Sequence, residues 1–82
     1  MFLATLNCFP EVTFEKSDKT YYQNGVVYLS PPVTQEKIVH ELVHDCQERS
    51  AGGPAGDRAE WDRRERAAKY VELRWVQFLN AQ

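Results

Sequence analysis

No stretch of this 82-residue chain stays apolar for the roughly 20 residues that a membrane-spanning helix needs, so no transmembrane segment is expected. An excess of charge of one sign is also missing. Ten Lys and Arg stand against twelve Asp and Glu, and a formal charge of −2 offers no field to draw the chain to nucleic acid or a membrane surface. The first ten residues, Met1 to Pro10, contain no basic residue and too short an apolar run to read as a signal peptide. Cysteine is sparse too. With no export signal, Cys8 and Cys46 are expected to be reduced thiols, and the protein is expected in the cytoplasm. Histidine occurs only twice, at His40 and His44, and the arrangement of that pair organises the remaining reading.

A length of 82 residues and a composition of 43% hydrophobic and 27% charged residues fit a single globular domain spanning 1–82. A chain of this size buries only about 60 to 65% of its unfolded surface, so its core is modest and a bound metal would add to its stability.

The elements follow from local chemistry. Val12 to Lys16 alternates as a strand does, and a second short run from Thr20 to Gln23 meets Asn24-Gly25, the strongest two-residue hairpin cue. Val26 to Leu29 is the returning strand, which predicts a three-stranded antiparallel β-meander. Residues 2–7 are a further stretch that an additional strand would occupy. After Ser30-Pro31-Pro32, Thr34 is placed to cap a helix running to about Arg49, with Ile38, Val39, Leu42, Val43 and Cys46 as the face packed on the sheet. The glycine-rich run from Ala51 to Gly56 stops that helix and reverses the chain. A second helix is predicted from about Asp57 to Leu79, with a stripe at Trp61, Glu65, Ala68, Glu72, Trp75 and Leu79. The expected fold class is therefore α+β, the sheet packing on the first helix beside a long C-terminal one.

His40-Glu41-Leu42-Val43-His44 places two imidazoles one helical turn apart, where both reach one tetrahedral zinc ion at about 2.0 to 2.1 Å. Glu41, oriented toward the same site, is the candidate general base on zinc-bound water. Cys46 follows His44 by two residues and is turned roughly 160° away on the helical period, which makes it a buried helix residue rather than a ligand.

A third ligand is sought among the carboxylates. Glu is almost never fully buried without a partner, and Glu65 interrupts the core-facing row of the second helix. His40, His44 and Glu65 would make a two-His, one-Glu zinc site. Glu60 and Glu72 are rival ligands, and Glu72 has a second reading as the outer partner that orients a ligand histidine. The metzincin pattern does not fit, because Gln47 and Ser50 stand where its glycine and third histidine belong. Tyr21, Tyr22 and Tyr28 are candidates to steady an oxyanion.

The run from Val26 to Thr34, leading into Ile38-Val39-His40-Glu41-Leu42-Val43-His44, resembles the ImmA/IrrE family of zinc-dependent metallopeptidases. Glu65 to Val71 is similar to that family's E-x-x-A-x-x-F segment, with Val71 in place of the aromatic. The resemblance covers roughly residues 20–76 and lacks the family's N-terminal helix and a DNA-binding module. It implies one zinc per chain on His40, His44 and Glu65, Glu41 as base, and a protein or peptide substrate such as a repressor-type regulator.

From another class comes a catalytically silent, zinc-stabilised protein-interaction module of a phage or mobile element. The two separate on coordination: a catalytic zinc keeps one position open, whereas a structural zinc is closed by a fourth protein ligand, here Glu48, Glu60 or Cys46.

Overall fold

A computed structural model describes Cys8 and residues 11–81 of the chain. Three strands, β1 (Thr13–Lys16), β2 (Tyr21–Gln23) and β3 (Val26–Leu29), are followed by α1 (Gln35–Ala51) and α2 (Arg58–Asn80). The class is α+β. The possible strand over residues 2–7 lies outside the described residues.

Asn24 and Gly25 adopt φ of 50° and 80°, the paired positive values of a two-residue turn whose twist matches its flanking strands. β2 and β3 accordingly pair antiparallel, Tyr22 opposite Val27. The expected meander fails at β1, which does not pair with β2. It runs parallel to β3, Phe14 beside Val27, so the sheet is mixed with order β1-β3-β2. The reason lies in which strand can be buried. β3 holds the most apolar run, with Val27 fully buried, and takes the centre, where both of its edges are paired. β1 is exposed along its length and carries Glu15 and Lys16, which suit an edge. The link from β1 to β2 crosses the end of β3, where Ser17 N–H donates to the Leu29 carbonyl at 3.0 Å and Ser30 N–H to Thr20 Oγ1 at 3.0 Å.

The Thr34 hydroxyl accepts from Lys37 N–H at the start of α1. At its end Gly52 turns left-handed, with φ 81°, and Gly53 N–H reaches back to the Glu48 carbonyl at 2.9 Å. The start of α2 is closed from both sides. Asp57 accepts from Glu60 N–H at 2.8 Å, and the Glu60 carboxylate accepts from Gly56 N–H at 2.7 Å.

α1 lies between the sheet and α2. It buries Val39, Asp45 and Cys46, and toward α2 it packs Val43 on Ala68, with Leu42 and Val71 beside them. Among the described residues the buried apolar core is Val27, Val39, Val43, Cys46 and Ala68, a small one. A covalent bond supplements it, because Cys8 and Cys46 form a disulfide with Cα atoms 6.0 Å apart. This corrects the expectation of two reduced thiols: the fold brings Cys8 onto the buried side of α1, within bridging distance of Cys46. No described helix is long and apolar enough to cross a membrane.

A candidate metal centre

α1 and α2 run antiparallel, so residues far apart in sequence face each other across one seam. His40 and His44 project from α1, their ring centroids 4.9 Å apart, and Glu65 reaches them from α2. His44 Nε2 lies 2.6 Å from Glu65 Oε1, and His40 Nε2 lies 3.3 Å from Glu65 Oε2. All three residues can offer a ligand atom within 4.8 Å of one another, a cluster that could hold a metal ion. Two ligands bonded at about 2.0 to 2.1 Å to a tetrahedral ion sit about 3.3 to 3.4 Å apart. The His40 contact already has that spacing. The His44 contact is shorter than that spacing, so these two atoms would part slightly to admit an ion.

What turns the rings inward is the partner of each outer nitrogen. His44 Nδ1 lies 2.9 Å from the side-chain oxygen of Gln47, an acceptor, so Nδ1 carries the proton and Nε2 keeps its lone pair. Gln47 is itself anchored across the seam, donating to the Arg64 carbonyl at 2.9 Å. His40 Nδ1 lies 3.3 Å from Glu72 Oε1, and the other Glu72 oxygen meets Lys69 Nζ at 2.7 Å. Both histidines are thus fixed by outer partners of the kind that ligating imidazoles use. The sequence reading met Gln47 only as a departure from the metzincin pattern, although its place three residues beyond His44 on one helix face was the signal for a partner.

The structure sorts the rival carboxylates by their partners. Glu60 is committed to Gly56 N–H and to Arg64 at 3.1 Å. Those contacts hold its carboxyl below the usual carboxylate range, first through the Gly56 amide and then through Arg64. Glu72 stands behind His40 rather than with the three converging groups.

No protein-family model, curated protein or solved structure matches this chain. The chemistry therefore has to be argued from the site's own residues.

A cleft of about 470 Å³ opens over the three candidate ligands, between β2, α1 and the start of α2. Glu41 lines it and is buried, only 7% exposed. Burial pushes its carboxyl above the usual range and the negative Glu65 and Glu72 push the same way, against the histidines beside it. Of the three tyrosine candidates, Tyr21 and Tyr22 line the cleft and Tyr28 does not. Tyr21 and Tyr28 stack on each other at 4.4 Å, opposite one another on β2 and β3, on the face of the sheet away from Val27 and Tyr22. Tyr22 turns toward α1 and donates its hydroxyl proton to Asp45 Oδ1 at 2.7 Å, while accepting from Gly25 N–H at 3.0 Å. That proton is spent. Desolvation, followed by the Asp45 hydrogen bond, raises the Tyr22 hydroxyl to about 12.

Asp45, 1% exposed, is the buried acid that sequence reasoning missed. Besides Tyr22 it accepts from Glu11 N–H at 3.3 Å and meets Arg49 at 3.5 Å, tying β2 and the segment before β1 to α1. It falls on the i, i+4, i+7 row through Ile38 and Leu42, so the argument that drew attention to Glu65 applied here as well.

Proposed function

We propose that this protein is a zinc-dependent metallopeptidase, with His40, His44 and Glu65 holding one zinc ion per chain and Glu41 acting as general base. The observation that carries the reading is a three-ligand cluster whose histidines are both fixed from behind, in a cleft that also contains a buried glutamate. Zinc, when bound there, supplies polarisation of the scissile carbonyl and acidifies the attacking water. The rest belongs to the chain. The Glu41 carboxylate takes the proton of the attacking water and returns it to the amine nitrogen as the C–N bond breaks. Burial supports that role, because it moves a carboxyl toward the pH at which it must both accept and release a proton.

The interaction-module reading needs a fourth protein ligand to close the metal. Among the described residues the candidates are used elsewhere or stand apart: Cys46 is in the disulfide, Glu60 caps α2, and Glu48 is not part of the cluster. The open position therefore favours turnover. The substrate is proposed to be a protein or peptide, with the repressor-type regulator an implication of the family resemblance alone. The place of action is proposed to be an oxidising compartment rather than the cytoplasm, because a disulfide persists in the first and is reduced in the second.

The test compares zinc-loaded parent with Glu41→Gln on a peptide library, reading new termini by mass spectrometry. Equal zinc content and circular dichroism, with cleavage reduced by about 10² to 10⁴-fold in the variant, is the expected result. Cleavage at the same rate in both removes Glu41 from the chemistry. A zinc-loaded parent that cuts nothing overturns the peptidase reading in favour of the module.

A further inference from the structure

The charges that line the cleft do not all have tasks. Glu65 belongs to the metal cluster and Glu41 to the proton transfer proposed above. Arg64 is 13% exposed, and its guanidinium donates to the Gly53 carbonyl at 3.0 Å and to Glu60 at 3.1 Å. Glu48 remains. It lies one helical turn beyond His44 on the same side of α1, is half-buried, and lines the same cleft. Among the described residues its carboxylate has no hydrogen bond and no ion pair, although its charge is near enough to act on the Tyr22 hydroxyl.

Trp61, 48% exposed, lines the same cleft from α2, and its ring receives the Arg58 guanidinium at 4.9 Å from its centre. A carboxylate and an aromatic ring lining one cleft can receive a cation on an aliphatic stem: the ring takes the stem and part of the charge, the carboxylate takes the hydrogen-bond donors. The offset from the candidate metal ligands is one helical turn, about 5 to 6 Å between Cβ atoms, against about 3.3 to 3.4 Å per residue of an extended peptide.

We infer that Glu48 is a specificity-determining residue that selects substrates carrying Lys or Arg one or two positions from the bond to be cut. This inference rests on the peptidase reading, and two measurements keep their failures apart. In the first, the zinc-loaded parent is profiled on a positional-scanning peptide library. The expected result is a preference for Lys or Arg over Gln or Met of about 10-fold or more at one such position. Glu48→Gln should lose that preference, and Glu48→Arg should move it toward Asp or Glu. Cleavage that is indifferent to charge, or a basic preference that survives in Glu48→Gln, overturns the role of Glu48 while leaving the peptidase standing.

The second measurement needs no turnover. Parent and Glu48→Gln, both metal-free, are titrated with an acetylated, amidated arginine peptide and followed by amide and indole NMR signals. Shifts at Glu48 and at the Trp61 indole in the parent, absent in the variant, are the expected outcome. No shift in the parent at about 10 mM peptide overturns the inference even if the protein cuts nothing, because a charge-assisted contact and a stacked stem together worth about 4 kcal/mol give a Kd of about 1 mM.

Discussion

Opening the Cys8–Cys46 bond removes a constraint that this small core cannot spare. The bridge spans a sequence separation of 38. The chain-entropy relation for a loop of that length gives about 13 cal/mol/K, or about 4 kcal/mol at room temperature. A domain's whole stability is about 5 to 15 kcal/mol, and one with five buried apolar side chains among its described residues belongs at the low end. The reduced, metal-free protein is therefore expected to populate its unfolded state measurably. Zinc should reverse this, since free metal at about 1,000 times its dissociation constant adds about 4 kcal/mol to a fold that alone binds it. The assay is urea unfolding followed by the fluorescence of Trp61 and Trp75 and by far-ultraviolet circular dichroism. It is run on oxidised protein, on protein held in a phosphine reductant, and on a Cys8→Ser, Cys46→Ala variant, each with and without zinc. Oxidised and reduced forms agreeing within about 0.5 kcal/mol without metal would refute the reasoning, and so would a reduced form that zinc leaves unchanged.

The other expectations concern single contacts. Gln47→Leu or Glu72→Leu removes the partner of one outer imidazole nitrogen and should weaken zinc binding by about 10 to 100-fold in a competition titration, while Glu60→Gln leaves it unchanged. Asp45→Ala removes the acceptor of the half-buried Tyr22 hydroxyl and should cost about 1 to 3 kcal/mol in urea, with no loss of zinc stoichiometry. Because Tyr22 titrates near 12 when folded against an ordinary 10.0, its contribution to stability is complete below pH 10 and is lost as pH rises through 12. Absorbance at about 295 nm should show one late-ionising tyrosine that disappears in Tyr22→Phe.

Where a residue's neighbours in sequence decide its conformation, the chain could be read directly. Asn24-Gly25 forms the hairpin, Thr34 and Asp57 cap their helices, and Gly52 ends α1, since each acts within four residues of itself. The convergence of His40, His44 and Glu65 was approachable for a related reason: two periodicities and one short reversal determine which helix faces meet. The pairing of β1 was not legible, because Val12 to Lys16 looks the same whether it lies beside β2 or β3, and burial of Val27 on the central strand settles it. Nor was the disulfide, because whether two cysteines come within bridging distance depends on that same placement of the chain before β1. Asp45 was hidden by its type, as an acid in a helix is usually a solvated one.

α1 presents two sets of side chains in fixed rotational phase: His40, Glu41 and His44 toward the cleft, Asp45 and Cys46 toward the sheet and the segment before it. Each residue advances the helix by about 100°. One residue gained or lost between His44 and Asp45 would turn one set against the other by that angle, so that the chain could keep its anchors or its candidate ligands but not both. The run from Gly52 to Gly56 carries no such phase, because α2 is re-capped at Asp57 wherever the turn delivers it. Length variation in this architecture is thus expected in the turn, and the spacing from His40 to Cys46 is the part of the chain that does not tolerate a change in length.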